Sequence, residues 1–167
     1  AGASKTLVHF HGNGETAADY DPDFVALMHS MGLSVFLCEY RGYGGSTGRP
    51  MMAKMLEDTD KIFEHLGIPS QDLIVFGRSV GSIYAVEFAR RHPEIAGLVI
   101  ESGIADPLER VLLRAHPAEL GTNLDTMIDE AALLFNHASV MNKFSGALLI
   151  MHAVRDHIVN VDHARRL

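Results

Sequence analysis

The sequence predicts an α/β fold in which a mostly parallel sheet of about five strands carries helices on both faces. Short apolar runs alternate along the chain with longer segments of helical period. The short runs are almost wholly apolar instead of alternating with polar residues, which is typical of strands buried on both faces of a parallel sheet. The chain has 167 residues, of which 47% are hydrophobic and 21% charged, a composition typical of a folded globular domain. No internal repeat or flexible linker interrupts it, so residues 1–167 are predicted to be a single domain.

The elements follow one another in a regular order. Pro22 and Pro50 can each begin a helix, and the apolar periodicity that follows them ends at Gly32 and Gly67. A further helix is expected directly after Gly81, ending before the dipeptide at 92–93. The short apolar runs between these helices predict strands at residues 5–10, 34–39, 73–76, 97–100 and 147–152.

A long insertion separates the fourth and fifth strands. It covers roughly residues 102–146, far more than a single helix with its usual connections requires. Residues 108–114 and 125–135 have helical patterns. Two interpretations stay open: a crossover helix with a decorated loop, or a small cap over the ends of the strands, where open α/β sheets hold their ligands.

Charge and composition exclude several classes of protein. The chain has 14 Lys and Arg against 21 Asp and Glu, a net charge of −7, so nucleic acid is not expected as a partner. No segment approaches the ~18 consecutive apolar residues of a transmembrane helix. The single cysteine, Cys38, excludes an internal disulfide and fits a reducing compartment, so a cytoplasmic location is expected. No signal peptide opens the sequence, although the mature part of a processed protein would look the same.

The strongest local motif is Gly77-Arg78-Ser79-Val80-Gly81, a G-x-S-x-G sequence between a predicted buried strand and a predicted helix. This is the setting of a nucleophile elbow, in which a sharp turn exposes the serine hydroxyl. Glycines on either side leave room where side chains would collide with the neighbouring backbone. The amino end of the helix offers free N–H groups to developing negative charge.

Two other loops supply what acyl transfer also needs. The loop after the first strand, His11-Gly12-Asn13-Gly14, can aim a backbone N–H at the same point as that of Val80. Asp156 follows the fifth strand, where a carboxylate could hold an imidazole in the required tautomer. These residues, with Ser79, predict a site at the carboxyl edge of the sheet.

The order and spacing of five segments resemble the α/β-hydrolase superfamily. The sequence is most similar to its serine-hydrolase branch, which includes small esterases, serine aminopeptidase-type enzymes and depalmitoylating thioesterases. The resemblance implies that Ser79 is the nucleophile and Asp156 the acid, with an oxyanion hole formed by the N–H groups of Val80 and Asn13. It also implies that the glycine-rich loop after Tyr40 and the insertion line the pocket. The segments are VHFHGNGE, EYRGYGGSTG, FGRSVGS, IESGIAD and LIMHAVRDHIV.

Four residues are candidates for substrate binding: Gly12, Arg41, Tyr43 and Arg78. For two of them a structural role is an open alternative. Arg41 can bind a substrate carboxylate or pair with a nearby acid. Arg78 can reach the pocket or form a structural ion pair.

The family pattern includes further strands at both ends of the sheet and a catalytic histidine well beyond the acid. Here we expect a chain truncated at both ends, with edge strands missing, exposed sheet edges that favour a homo-oligomer, and no family histidine. His163 is the first substitute base to consider, and His157 is a weaker one; His163 is otherwise expected at the surface. A fragment of a longer enzyme, a short protein that has lost activity, or a base from another subunit would each account for the missing histidine.

The expected function is therefore that of a serine hydrolase acting on a carboxylic ester or thioester, inactive without its base and requiring no cofactor or metal. His9 and His11 lack a third ligand at suitable spacing for a metal. The alternative is a non-catalytic binding or interaction module on the same scaffold. A nucleotide-binding domain is disfavoured because the first loop lacks G-x-G-x-x-G.

Overall fold

A computed structural model describes residues 5–167 and shows a five-stranded, wholly parallel sheet in the order β2-β1-β3-β4-β5. The predicted α/β class is confirmed, and the predicted strands differ from the observed ones only at their ends. The strands are β1 Lys5–Phe10, β2 Leu33–Cys38, β3 Leu73–Arg78, β4 Gly97–Glu101 and β5 Ala147–Met151.

Helices cover both faces of this sheet. Successive side chains of β1 point to opposite faces, so Val8 packs in the larger core with helices α2 (Met52–Leu66) and α3 (Gly81–Arg91). Leu7 packs on the other face with Met28 of helix α1 (Asp23–Ser30). Val8 and Leu7 are both at most 3% exposed. The helices are α1 Asp23–Ser30, α2 Met52–Leu66, α3 Gly81–Arg91, α4 Pro107–Leu112, α5 Leu124–Leu134, α6 His137–Lys143 and α7 Asp162–Arg166, with short 3₁₀ turns at Ala17–Tyr20, Ser70–Asp72 and Pro117–Leu120.

Helix α6 was not predicted from the sequence. It has only seven residues, of which His137 and Met141 are buried. One buried pair four positions apart is too short a pattern to indicate a helix by periodicity. A local signal is present, because the side chain of Asn136 accepts a hydrogen bond from the N–H of Ser139.

The expectation that every strand is buried on both faces is wrong for β5. Leu148 is 44% exposed and Leu149 51% exposed, whereas Leu98 on the neighbouring β4 is fully buried. Within residues 5–167, β5 pairs with β4 alone and lies at the edge of the sheet. An apolar sequence therefore does not by itself show that both faces of a strand are covered by other parts of the protein. No helix in this part of the chain is long and apolar enough to span a membrane.

His9, on β1, is buried without a full set of polar partners. Its ring lies 4.2 Å from the ring of Tyr20 and 5.0 Å from the rings of Phe24 and Phe76, centroid to centroid. Its Nε2 has no hydrogen-bond partner among the described residues. Burial, together with the nearby His11 and Arg78, lowers the pKa of His9 to about 3. The imidazole is therefore neutral in the folded protein at any pH near neutrality.

A His9→Phe substitution is expected to reduce the sensitivity of the fold to acid. Between pH 6.5, the ordinary value for histidine, and about 3, the unfolded chain binds a proton at His9 that the folded chain does not. The free energy of unfolding consequently falls with decreasing pH by up to about 1.4 kcal/mol per pH unit from this group. Urea unfolding of both proteins between pH 7 and 4 measures the difference, and parallel pH dependences would contradict the assignment.

Candidate active site

Ser79 lies in a tight turn between the end of β3 and the start of α3. Its φ is 52°, in the left-handed region that side chains other than glycine rarely adopt. The Ser79 N–H donates a 2.8 Å hydrogen bond to the carbonyl oxygen of Glu101 at the end of β4. Strain of this kind costs on the order of 1–2 kcal/mol and persists only where the surroundings impose it. The turn has the strand–turn–helix geometry of a nucleophile elbow.

The two glycines of the motif allow α3 to approach the sheet closely. A Cβ atom at Gly77 would lie 2.6 Å from the Cβ of Ala85 and 2.6 Å from the carbonyl oxygen of Gly81. One at Gly81 would lie 2.1 Å from the carbonyl oxygen of Phe10, in β1. Neither position can carry a side chain without a shift of backbone or helix.

Ser82 connects the elbow to the segment after β4, a role that sequence reasoning missed. Its side chain is fully buried. The hydroxyl donates to the carbonyl oxygen of Ser79 at 2.6 Å and accepts from the N–H of Ile104 at 2.9 Å. The only signal in the sequence is a small polar residue directly after the motif, which is too common to indicate this role.

Two backbone N–H groups near Ser79 are available to a ligand. Among residues 5–167, the N–H groups of Val80 and Asn13 make no hydrogen bond within the protein, and both residues line the same cavity as Ser79. The N–H of Gly12, by contrast, donates to Glu15 Oε2 at 2.6 Å. Val80 also precedes the first turn of α3, whose peptide dipoles favour negative charge at this end.

The cavity above Ser79 has a volume of about 610 Å³, a size that suits a small organic ligand. It is formed by the loop after β1, the elbow, the first part of the 102–146 segment and the loop after β5. Helix α4 and the turn after it contribute one wall. The lining residues are Gly12, Asn13, Glu15, Met52, Arg78, Ser79, Val80, Ile83, Ser102, Ile104, Pro107, Arg110, Val111, Arg114, Ala115, Asp156, Ile158 and Val159.

Asp156 follows β5 and lines this cavity, so the structure brings the predicted acid and the predicted nucleophile to one site. Its Oδ1 accepts hydrogen bonds from the N–H groups of Ile158, at 2.8 Å, and Val159, at 2.9 Å. Burial by itself would raise the pKa of Asp156, but these two N–H groups and the hydroxyl of Ser102 outweigh it and hold the pKa below its usual value. The side chain is therefore a carboxylate at neutral pH.

His163 is not brought to Ser79. It is 2% exposed and does not line the cavity, so its expected surface position is wrong. Its Nδ1 accepts a 3.2 Å hydrogen bond from the N–H of Ala105, and its Nε2 lies 3.8 Å from Glu109 Oε1. Burial first, and then the neighbouring Arg166, lowers the pKa of His163. These contacts indicate a structural histidine that joins α7 to the start of the insertion.

The other histidines near the site have structural contacts or lie outside it. His11 braces the loop after β1, with Nδ1 2.9 Å from the carbonyl oxygen of Gly12 and Nε2 3.0 Å from Glu39 Oε1. His152 Nε2 donates to the carbonyl oxygen of Val159 at 2.7 Å. His157 is exposed. Within residues 5–167, no histidine lines the cavity that contains Ser79.

Of the four candidates for substrate binding, Gly12 and Arg78 line the cavity, while Arg41 and Tyr43 do not. The guanidinium of Arg78 pairs with Glu15 and has its Nε 3.6 Å from Glu101 Oε1, so it is both a structural ion pair and part of the wall. The hydroxyl of Tyr43 donates to Asn13 Oδ1 at 3.3 Å. Tyr43 thus contacts the loop that carries the free Asn13 N–H.

Arg41 binds Asp58 of α2 instead of facing the cavity. Its Nε lies 2.6 Å from Asp58 Oδ2 and its Nη2 2.5 Å from Asp58 Oδ1. These two parallel hydrogen bonds occupy the N–H groups with which the guanidinium would otherwise bind a substrate carboxylate. Of the two interpretations of Arg41, the structure supports pairing with an acid of the protein.

An Arg41→Gln substitution is accordingly expected to leave the reactivity of Ser79 unchanged. The guanidinium contacts Asp58, away from the cavity, so its loss changes a surface contact between the loop after β2 and α2. The rate of covalent labelling of Ser79 by a fluorophosphonate, compared between the variant and the unmodified chain, measures this. A large drop in the labelling rate of a folded variant would indicate that Arg41 does contribute to the site.

Comparison with known proteins agrees with this geometry. A family model described as serine aminopeptidase, S33, matches residues 1–135. The chain is 26% identical over 169 residues to α/β hydrolase domain-containing protein 17B of Xenopus laevis, a match that covers 99% of this chain and 54% of the relative. It is also 26% identical to the uncharacterized protein YfhR of Escherichia coli, with 99% of this chain and 57% of that protein covered. The chain thus spans about half the length of the curated relatives it matches.

Solved structures show the same fold at lower sequence identity. A monoacylglycerol lipase of Paleococcus ferrophilus superposes with a TM-score of 0.72 at 20% identity, covering 99% of this chain and 79% of the lipase. An esterase of Exiguobacterium antarcticum superposes with a TM-score of 0.69 at 17% identity, with the same two coverages. Together with the match of the family model to most of the sequence, the parallel sheet and the elbow at Ser79 identify this chain as a member of the serine aminopeptidase S33 family of α/β hydrolases.

Proposed function

We propose that this chain carries the nucleophile of a serine hydrolase that cleaves a carboxylic ester or thioester. The observation that carries the proposal is the position of Ser79, which is held at a φ of 52° in the wall of a cavity. Beside it lie the N–H groups of Val80 and Asn13, which donate to no group among residues 5–167. The names of two structural neighbours, a lipase and an esterase, support an ester as the substrate class.

In the proposed reaction, Ser79 Oγ forms a bond to the carbonyl carbon while the hydroxyl proton passes to an imidazole. The carbonyl oxygen becomes an oxyanion that accepts hydrogen bonds from the N–H groups of Val80 and Asn13. The C–O or C–S bond then breaks, and the leaving group takes the proton from the imidazole. Water attacks the acyl ester on Ser79 and gives a proton to the same imidazole. The bond between the acyl carbon and Ser79 Oγ then breaks, Oγ takes that proton back, and the carboxylic acid leaves.

None of the described residues that line the cavity is a histidine, so the described residues do not supply this imidazole. In the proposal it belongs to a histidine outside residues 5–167 or to a second subunit, and the carboxylate of Asp156 holds it in the required tautomer. Asp156 suits this role because it is ionised at neutral pH and lines the cavity with Ser79. Without that imidazole, the Ser79 hydroxyl is expected to be a weak nucleophile.

Covalent labelling with a neutral alkyl fluorophosphonate tests the proposal. Serine Oγ gives its proton to imidazole or water and forms the P–O bond, while the P–F bond breaks and fluoride leaves. We expect one adduct per chain, located on Ser79 by peptide mapping. Added imidazole should raise the labelling rate by about tenfold, less than the roughly 10²–10⁴ that a positioned side chain supplies. Labelling spread over several serines, or none at all with imidazole present, would contradict the proposal.

A non-catalytic binding module remains the second candidate, because no histidine among residues 5–167 lines the cavity. That function would leave Ser79 unreactive even with imidazole, while small ligands still bound in the cavity. The labelling experiment thus separates the two candidates.

A further inference from the structure

The cavity above Ser79 is richer in arginine than the chain as a whole. The protein has a net charge of −7, yet the charged residues that line this cavity are three arginines and two acids: Arg78, Arg110, Arg114, Glu15 and Asp156. The wall therefore carries an excess of positive charge, which favours an anionic ligand.

Contacts within the protein occupy both acids and one of the arginines. Glu15 pairs with Arg78 and accepts 2.6 Å hydrogen bonds from the N–H of Gly12 and the hydroxyl of Tyr20. Asp156 accepts two backbone hydrogen bonds through its Oδ1. The charge of Arg78 is thus compensated within the protein.

Arg110 and Arg114 differ from Arg78 in this respect. Among residues 5–167, neither side chain makes a hydrogen bond or an ion pair, whereas the nearby Arg166 pairs with Glu109 at 2.7 Å. Arg110 lies on α4 and Arg114 four positions later in the turn that follows, where Arg114 N–H still donates to the Val111 carbonyl oxygen. Side chains four apart on a helical turn lie on one face, so the two guanidinium groups belong to the same wall.

We propose that Arg110 and Arg114 bind a carboxylate carried by the substrate, so that the preferred substrates are esters or thioesters with a second, free acid group. Two guanidinium groups on one wall offer several N–H donors to a planar carboxylate. The neighbouring Val111 and Ala115 supply apolar contact to the chain that would join this carboxylate to the reacting ester. The substrate role rests on the proposed function; the binding of a carboxylate does not.

Equilibrium binding of two unreactive ligands tests this without requiring turnover. N-butylglutaramate carries a free carboxylate, and N-butylglutaramide replaces it with a neutral amide of similar shape. At neutral pH and low ionic strength, calorimetry should show the carboxylate ligand binding roughly tenfold more tightly, the low end of the range for hydrogen bonds to charged groups. Added salt should weaken this preference, because the wall is partly open to solvent.

The Arg110→Gln, Arg114→Gln double variant should bind both ligands with equal affinity. Arg165→Gln is the matched control, because Arg165 is exposed, pairs with Asp162 within α7 and does not line the cavity. The exposed Arg114→Gln single variant, which leaves α4 intact, should lose part of the preference even if the double variant folds poorly. Equal affinities in the unmodified chain, or a preference that survives in folded Arg114→Gln and double variants, would overturn the proposal.

Failure of this inference is distinguishable from failure of the proposed function. Labelling of Ser79 by a neutral fluorophosphonate, without a preference for the carboxylate ligand, would support the hydrolase and overturn the carboxylate site. A preference without labelling would support the carboxylate site and contradict ester hydrolysis.

Discussion

A Ser79→Ala variant is expected to form no fluorophosphonate adduct, with or without imidazole. The substitution removes the hydroxyl oxygen that attacks phosphorus and leaves the contacts of the elbow in place, since the hydrogen bonds at this residue come from its backbone N–H and carbonyl oxygen. Intact mass measurement of both proteins under identical conditions shows directly whether the adduct has formed.

Ser30→Ala is a suitable control, because Ser30 is an exposed serine on α1 whose hydroxyl donates to the carbonyl oxygen of Leu27. It should be labelled like the unmodified chain. An adduct that persists in Ser79→Ala would show that another nucleophile reacts and would remove the basis of the proposed function.

The same position allows the backbone strain to be measured separately from the chemistry. Alanine keeps the Cβ that makes a φ of 52° unfavourable, whereas glycine does not. Ser79→Gly is therefore expected to be more stable than Ser79→Ala by about 1 kcal/mol, after the larger entropy of glycine in the unfolded chain is subtracted. Both variants should be unreactive. Equal stability in urea would show that the strain at Ser79 is no larger than the entropy cost of glycine, which would contradict the strain expected here.

A Gly81→Ala variant is expected to lose about 3 kcal/mol of folding free energy, the upper part of the usual range for overpacking. The added methyl group would lie 2.1 Å from the carbonyl oxygen of Phe10 and 2.7 Å from that of His11. Backbone cannot rotate away as a side chain can, so α3 must shift, and with it the free N–H of Val80. Thermal and urea unfolding measure the loss, and a reduced labelling rate of Ser79 should accompany it.

Gly45→Ala is the matched control for this prediction. Apart from its neighbours in the chain, no atom of residues 5–167 lies within 4 Å of a Cβ placed at Gly45, and the φ of Gly45 does not lie in the left-handed region. This variant should unfold like the unmodified protein. If Gly81→Ala unfolded like the unmodified protein, this result would contradict the close approach of α3 to the end of β1.

Much of the fold follows from local features of the sequence. The five apolar runs predict the five strands because a buried strand needs apolar side chains on both faces, and the run of β5 is equally apolar although that strand is partly exposed. The G-x-S-x-G motif predicts the elbow because only glycine allows the approach seen at Gly77 and Gly81. Asp156, placed after the fifth strand, lies at the cavity because parallel strands end at one edge of the sheet. Each of these features follows from a local sequence pattern combined with a general property of parallel sheets.

Other properties of the site were decided only by the tertiary structure. Nothing in the local sequence distinguishes Arg41 from Arg110, yet Arg41 meets Asp58 of α2, whereas Arg110 lines the cavity and has no side-chain partner among residues 5–167. His163 was expected at the surface and is buried against Ala105, far away in the chain. Ion pairing and burial depend on which loops meet in space, and hydrophobic periodicity carries no information about that. The sequence by itself thus determined the sheet, the elbow and the position of Asp156 after the fifth strand, while the tertiary structure decided which charges the cavity offers to a ligand.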